Sequence, residues 1–273
     1  MQEAGGLQRG TGPACTLTET ENRFDRQVDV DFGPFEQLLA DVGRERLQEM
    51  KVHLGDRDLV DRHGVRLERG YTASDMLAYH VWRMQDGDRP NSYYRAVLEL
   101  DPRAIAAAES AGAPDPDNPL HGAVVLVKGN TAVEGLANDA GSWALADAVA
   151  GGDAEVVEQL RARGAVIAGR TNLSEFANFL SLTAPNGFSG RGGQALSPRG
   201  PLTVDPAGSS TGSATAIALD YADLTVGTET AYYIFTSGTT GLPKASTMSH
   251  YRWNRALAGF GLSGVRLKKD DVL

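Results

Sequence analysis

The stretch GAVVLVKGN, residues 122–130, decides how this chain folds. Six of its first seven residues are apolar or small and show no alternation, which suits a strand buried on both faces. Charge returns only at Lys128, where Gly129 and Asn130 open a turn. A second run of the same kind, Ala165-Val166-Ile167-Ala168, follows a helical pattern over about 153–163 that Gly164 ends. A third short strand is expected at Leu224-Thr225-Val226, after a helix beginning near Ser210 and passing through Ala214, Ile217 and Ala218. Strand, helix and strand in alternation predict an α/β architecture with a parallel or mixed sheet.

Upstream, Phe35, Leu38, Leu39 and Val42, then Leu47 and Met50, recur at helical spacing. Thr72 with Asp75 three residues on predicts the start of a helix through Met76, Leu77, His80 and Met84. A short strand is expected over Tyr94–Leu98 and an alanine-rich helix over 103–110. Residues 114–119 are a proline-rich loop, Asn172–Leu180 reads as a helix, and 185–208, rich in Gly and Pro, as a long irregular segment. Residues 1–33 lack periodicity and read as a disordered leader.

Composition narrows the function classes. The chain has 273 residues, 41% of them apolar, and a formal charge of −9. An acidic surface argues against nucleic acid or an anionic membrane as partner. One cysteine, Cys15, allows no internal disulfide and fits a reducing compartment. No apolar stretch has the length of a signal peptide core or a membrane span, so a cytoplasmic location is the expectation.

Three blocks carry chemistry: PLHGAVVLVKGN (119–130), GAVIAGRTNLSEFANF (164–179) and AGSSTGSATAIA (207–218). Read singly, a lysine after a strand is a solvated charge and serines before a helix are caps. In this order and at this spacing the blocks resemble the amidase signature family, with weaker similarity back to about residue 35. The resemblance implies an α/β/α sandwich around a mixed sheet, here incomplete, and hydrolysis of small amides by a Ser–Ser–Lys triad without metal or organic cofactor. It places the base at Lys128 and the bridging serine at Ser209. The chemistry fits those residue types: desolvation disfavours an ammonium, and a hydroxyl both accepts and donates a proton. The family's nucleophile ends a block of the form GT[DE]xxGS. Here Gly227-Thr228-Glu229-Thr230 starts it, but the nucleophile position holds Tyr233, and Thr230, Ala231 and Tyr232 occupy the oxyanion-hole stretch. Gly129 also stands where the family has aspartate.

From Tyr232 the chain reads YYIFTSGTTGLPKASTMSH. The run from Thr236 through Ser237, Gly238, Thr239, Thr240 and Gly241 to Lys244 resembles the phosphate-binding loop of adenylate-forming enzymes. The flanking residues are most similar to fatty-acid-transport and very-long-chain acyl-CoA synthetases. Glycines in such a loop admit close backbone approach, and amides, hydroxyls and lysine meet phosphate oxygens. The resemblance implies ATP as cofactor only if the fragment works alone. The expected organisation is therefore a leader over 1–33, part of an amidase domain over 34–230, and a strand–loop–helix ligase-type fragment over 231–273. The partner implied is a small amide. A chimera without activity, an amide-binding protein without turnover, and a synthetase remnant are the alternatives.

Overall fold

The computed structural model describes residues 29–55, 57–86, 90–179, 183–228, 230–236 and 244–249. The chain opens with a 3-10 turn at Gly33–Phe35 and four helices, α1 (Glu36–Val42), α2 (Arg44–Leu54), α3 (Leu59–Arg69) and α4 (Ala73–Asp86). Val30 and Phe32 of the expected leader already pack against the core. Then come α5 (Asn91–Tyr94), β1 (Val97–Leu100), α6 (Arg103–Ala111), β2 (Val124–Lys128), α7 (Glu155–Ala162) and β3 (Val166–Thr171). Two short strands, β4 (Phe188–Ser189) and β5 (Gly193–Gln194), precede α8 (Thr211–Ala218), β6 (Leu224–Val226), β7 (Thr230–Thr236) and β8 (Lys244–Ser249).

The main sheet has the order β1-β3-β2-β6. β2 is parallel to both β3 and β6, and β1 is antiparallel to β3. The fold is thus the mixed-sheet α/β class that the strand pattern implied. Because side chains alternate along a strand, Val124 and Leu126 enter one core with Met76, Leu77 and Ala216. Val125 and Val127 enter a second core with Val133, Val157 and Ile167 on the opposite face. That double burial is why residues 122–127 are apolar without interruption.

Helix α4 is buried almost all round, from Ala73 to Met84. Its start is the reciprocal cap that the sequence predicts: the Asp75 amide donates to Thr72 Oγ1 at 3.2 Å, and the Thr72 amide donates to Asp75 Oδ2 at 2.8 Å. Arg46 adds a two-pronged contact to the same carboxylate, both bonds 2.9 Å. Burial opposes ionisation of Asp75, but the bonds from Arg46 and Thr72 overcome it and hold the carboxyl below the usual range.

Three local expectations are corrected. Tyr94 ends a helix, and the strand starts at Val97, because the Asn91 side chain clamps Val97 through both its amide and carbonyl, at 2.8 and 3.0 Å. Residues 172–179 form no regular helix. Only a 3-10 turn at Glu175–Asn178 exists there, with Phe176, Ala177 and Asn178 at φ of 48°, 54° and 61°. Its polar groups bond outward: the Ser174 amide donates to Ser209 O, and Asn172 Nδ2 to the carbonyls of Arg95 and Gly193. Such partners compete with the helical ladder. Finally, β8 pairs antiparallel with β7, from Thr236 opposite Lys244 to Thr230 opposite Ser249. A strand therefore stands directly after the loop, and the helix expected from about 249 lies outside the described residues.

Candidate active site

The two blocks that carry Lys128 and Ser209 meet where β2, β6 and α8 come together. Lys128 is the last residue of β2 and is fully buried. Its Nζ donates to Ser209 Oγ at 2.8 Å, to Ser210 Oγ at 2.9 Å and to the carbonyl oxygen of Thr228 at 2.8 Å. The lysine that reads singly as a solvated charge is thus enclosed by hydroxyls and a carbonyl. Ser210 occupies the N-cap position of α8 yet makes no side-chain cap bond. Its Oγ instead donates to Thr228 O at 3.1 Å and accepts from the Thr228 amide at 3.3 Å.

Local packing fixes this geometry. Gly212, in the first turn of α8, donates its amide to Asn172 O at 3.1 Å. A Cβ at that position would stand 2.2 Å from Asn172 O and 2.6 Å from Ala96 O, so only glycine lets α8 approach so near. Ser174, itself buried, donates its amide to Ser209 O at 3.1 Å and its hydroxyl to Gly208 O at 3.3 Å, while accepting from the Gly187 amide at 2.8 Å. On the other side, Thr228 Oγ1 donates to Asn130 Oδ1 at 3.1 Å. Gly129, where the resemblance has aspartate, is hemmed in: an added Cβ would lie 3.0 Å from Leu173 Cδ2 and from Thr171 O.

Ser210 and the Thr228 carbonyl are site groups that the sequence did not single out. Ser210 was legible only as a neighbour of Ser209, and a main-chain carbonyl leaves no signature in residue type. Thr230, Ala231, Tyr232 and Tyr233 are consecutive residues of β7, an extended strand rather than a turn, with Tyr233 opposite Thr247. Thr236 and Lys244 face each other at the strand ends. Ser237, Gly238, Thr239, Thr240 and Gly241 lie outside the described residues.

A second polar cluster supports the site from below. Asp223, just before β6, accepts from the Val124 amide at 2.9 Å, lies 3.1 Å from His80 Nε2 and 3.4 Å from Arg62 Nη1. Burial works against its ionisation, but the His80 ring, Arg62 and the Val124 amide outweigh it and hold the carboxyl at about 2. Asp220 takes the Tyr79 hydroxyl and pairs with Arg62. Burial, then the Asp220 charge, push the Tyr79 phenol well above its ordinary range. Among the described residues no cluster of His, Cys, Asp and Glu is arranged to hold a metal ion, and no helix is long and apolar enough to cross a membrane.

Comparison with known proteins bears on the family and the fold. The profile of the family described as Amidase matches residues 88–232. A probable amidase of Arabidopsis thaliana is 41% identical over 147 residues, which are 51% of this chain and 28% of that protein. The amidase family protein from Bacillus anthracis superposes with a TM-score of 0.65 at 31% identity, covering 73% of this chain and 41% of that one. A medium/long-chain-fatty-acid–CoA ligase of Mycobacterium tuberculosis is 69% identical over 45 residues, 16% of this chain and 8% of the ligase. The chain spans about a quarter of the length of the curated amidases that it matches.

Proposed function

This chain belongs to the amidase family, and we propose that its site is built to hydrolyse a carbon–nitrogen bond in a small amide, with Lys128 as base and Ser209 as proton relay. The observation that carries this reading is the 2.8 Å contact from Lys128 Nζ to Ser209 Oγ, made across 81 residues of sequence inside a buried setting. In such a site the unprotonated lysine takes a proton from Ser209, Ser209 takes one from the nucleophile, and the nucleophile's oxygen attacks the amide carbon. The proton then returns to the leaving amine as the C–N bond breaks, and water releases the acyl group by the same route. The scheme uses no metal or organic cofactor.

The nucleophile position is Tyr233, and the chain is accordingly a poor amidase. A phenol oxygen stands several ångströms farther from the backbone than a serine oxygen. Residues 230–232, which correspond to the oxyanion-hole stretch, belong to an extended strand paired with β8. Loss of one oxyanion donor typically costs ~3 kcal/mol, and loss of a triad nucleophile about a million-fold in rate. The ligase-like segment contributes a phosphate loop by resemblance alone, and ATP enters only if that loop binds it in isolation.

The test is a gain of function. In Tyr233→Ser, hydrolysis of a simple primary amide should rise above the parent chain and fall again when Lys128→Met is added. Equal turnover in Tyr233→Ser with and without Lys128 would refute the assignment of the base.

A further inference from the structure

We infer that Asn130 is a positioning residue of the site: through the Thr228 hydroxyl it holds the main-chain carbonyl that receives Lys128. This rests on Lys128 being the base of the site proposed above, and it adds a residue that the relay scheme does not use.

The two strands that lead to the site stop short of it. β2 and β6 pair in parallel up to Val127 opposite Val226. Thr228 lies two residues beyond that last pair, so the sheet ladder does not fix its carbonyl. Yet that carbonyl stands 2.8 Å from Lys128 Nζ. Asn130 occupies the matching place past the end of β2. Its Oδ1 accepts from Thr228 Oγ1 at 3.1 Å, a contact between residues 98 apart in sequence. One side-chain bond thus joins the two strand ends just outside the last rung of the sheet.

Asn130 is itself held. The Gly129 amide donates to Thr171 O at 2.9 Å, and the Thr131 amide donates to Lys128 O at 2.8 Å, which closes the turn around Asn130. Lys128 and Asn130 therefore share one short turn with a fixed backbone. An asparagine in a turn ordinarily bonds to the backbone two residues on. Asn118 does so in this chain, taking the Leu120 amide at 3.1 Å. Asn130 instead turns its carbonyl oxygen to the extension of the neighbouring strand. Gly227 permits the close passage there, since a Cβ would lie 2.9 Å from Ser210 Oγ and 3.1 Å from Ser210 Cβ.

The consequence lies in where the Thr228 carbonyl is aimed. Ser210 contacts the Thr228 peptide from the α8 side, through its amide and its carbonyl. Asn130, half-buried beside Lys128, supplies the opposing hold from the β2 side. With that hold removed, the peptide can tilt toward α8 and its carbonyl away from Lys128 Nζ. The lysine amine then loses a fixed acceptor and shifts against Ser209.

Two variants break the bond from opposite ends, Asn130→Ala and Thr228→Val. In the full chain, isotope-labelled at lysine Cε, the Lys128 signal is the one missing from Lys128→Met. Each variant should move that signal, and the double variant should move it no farther than either single one. Thr228→Ser, which keeps a hydroxyl, should bring the signal back toward its parent position. In the Tyr233→Ser background, kcat for a primary amide should fall on the order of tenfold to a hundredfold in Asn130→Ala, with KM unchanged. That is the scale for an ångström-sized misplacement of a catalytic group. A Lys128 signal unmoved in both single variants overturns the inference, and so do shifts that add in the double variant. The two readouts also separate this role from the amidase reading. If the signal moves as stated and Tyr233→Ser hydrolyses no amide, the tie stands and the proposed activity falls. If Tyr233→Ser hydrolyses the amide equally fast with and without Asn130→Ala, the activity stands and the positioning role falls.

Discussion

The Asp223 carboxylate accepts the amide proton of Val124 at 2.9 Å, and so ties the turn before β6 to the first residue of β2. Those two strands lie side by side and parallel, and their far ends carry Lys128 and lead to Thr228. The anchor at one end of the strand pair therefore sets the register of the site at the other.

Asp223→Asn should lower stability strongly. The variant keeps the shape but removes the charge that faces Arg62 and His80 in a buried setting. Breaking a buried pair from one side typically costs ~3–5 kcal/mol. An unfolding free energy from urea titration lowered by less than a tenth of that would contradict the role given to Asp223.

Acid should act through the same group. Its folded carboxyl sits at about 2, below the ordinary range of an aspartate. A depressed carboxyl stabilises the fold above its unfolded value and loses that contribution as pH falls toward the folded one. The expected window is thus from about pH 4 down to about 2, with a loss on the order of 2 kcal/mol. Asp75, also held low, adds in the same direction. Urea midpoints between pH 6 and 2 should fall, and the slope should flatten in Asp223→Asn.

Gly212→Ala should damage the site more than its size suggests. The new methyl would meet Asn172 O and Ala96 O, both main-chain atoms that cannot swing aside. Overpacking of this kind costs ~1–3 kcal/mol. Because α8 must back away, the Lys128–Ser209 contact should lengthen, and amide hydrolysis gained in Tyr233→Ser should fall even at temperatures where the chain stays folded. Unchanged turnover would show that α8 does not set the position of Ser209.

Ser174→Ala removes the hydroxyl that joins the Gly208 carbonyl to the Gly187 amide and leaves that amide without its partner. An unsatisfied buried donor costs ~1–3 kcal/mol. Hydrogen exchange at Gly187 should accelerate in the variant while the amides of β2 remain protected. Faster exchange throughout the sheet would instead mean that Ser174 acts on the whole core.

Much of this was written locally. Residues 122–127 and 165–168 announce buried strands because both faces of the sheet are covered, and Thr72 with Asp75 announces the start of α4 because a cap is a contact three residues long. The ordered blocks around Lys128 and Ser209 mark the family. The departure at Tyr233 was legible by counting along the chain. Asn172–Leu180 misled because its helical spacing is real, yet its amides and side chains bond to Arg95, Gly193 and Ser209 from other segments. Only the tertiary structure decided that Lys128 is buried and that Ser209, Ser210 and the Thr228 carbonyl gather around its Nζ. Parallel pairing of β2 with β6, and the close seat of Gly212 on Asn172, bring together groups 81 to 100 residues apart. Distances of that kind follow from packing, which residue order constrains but does not display.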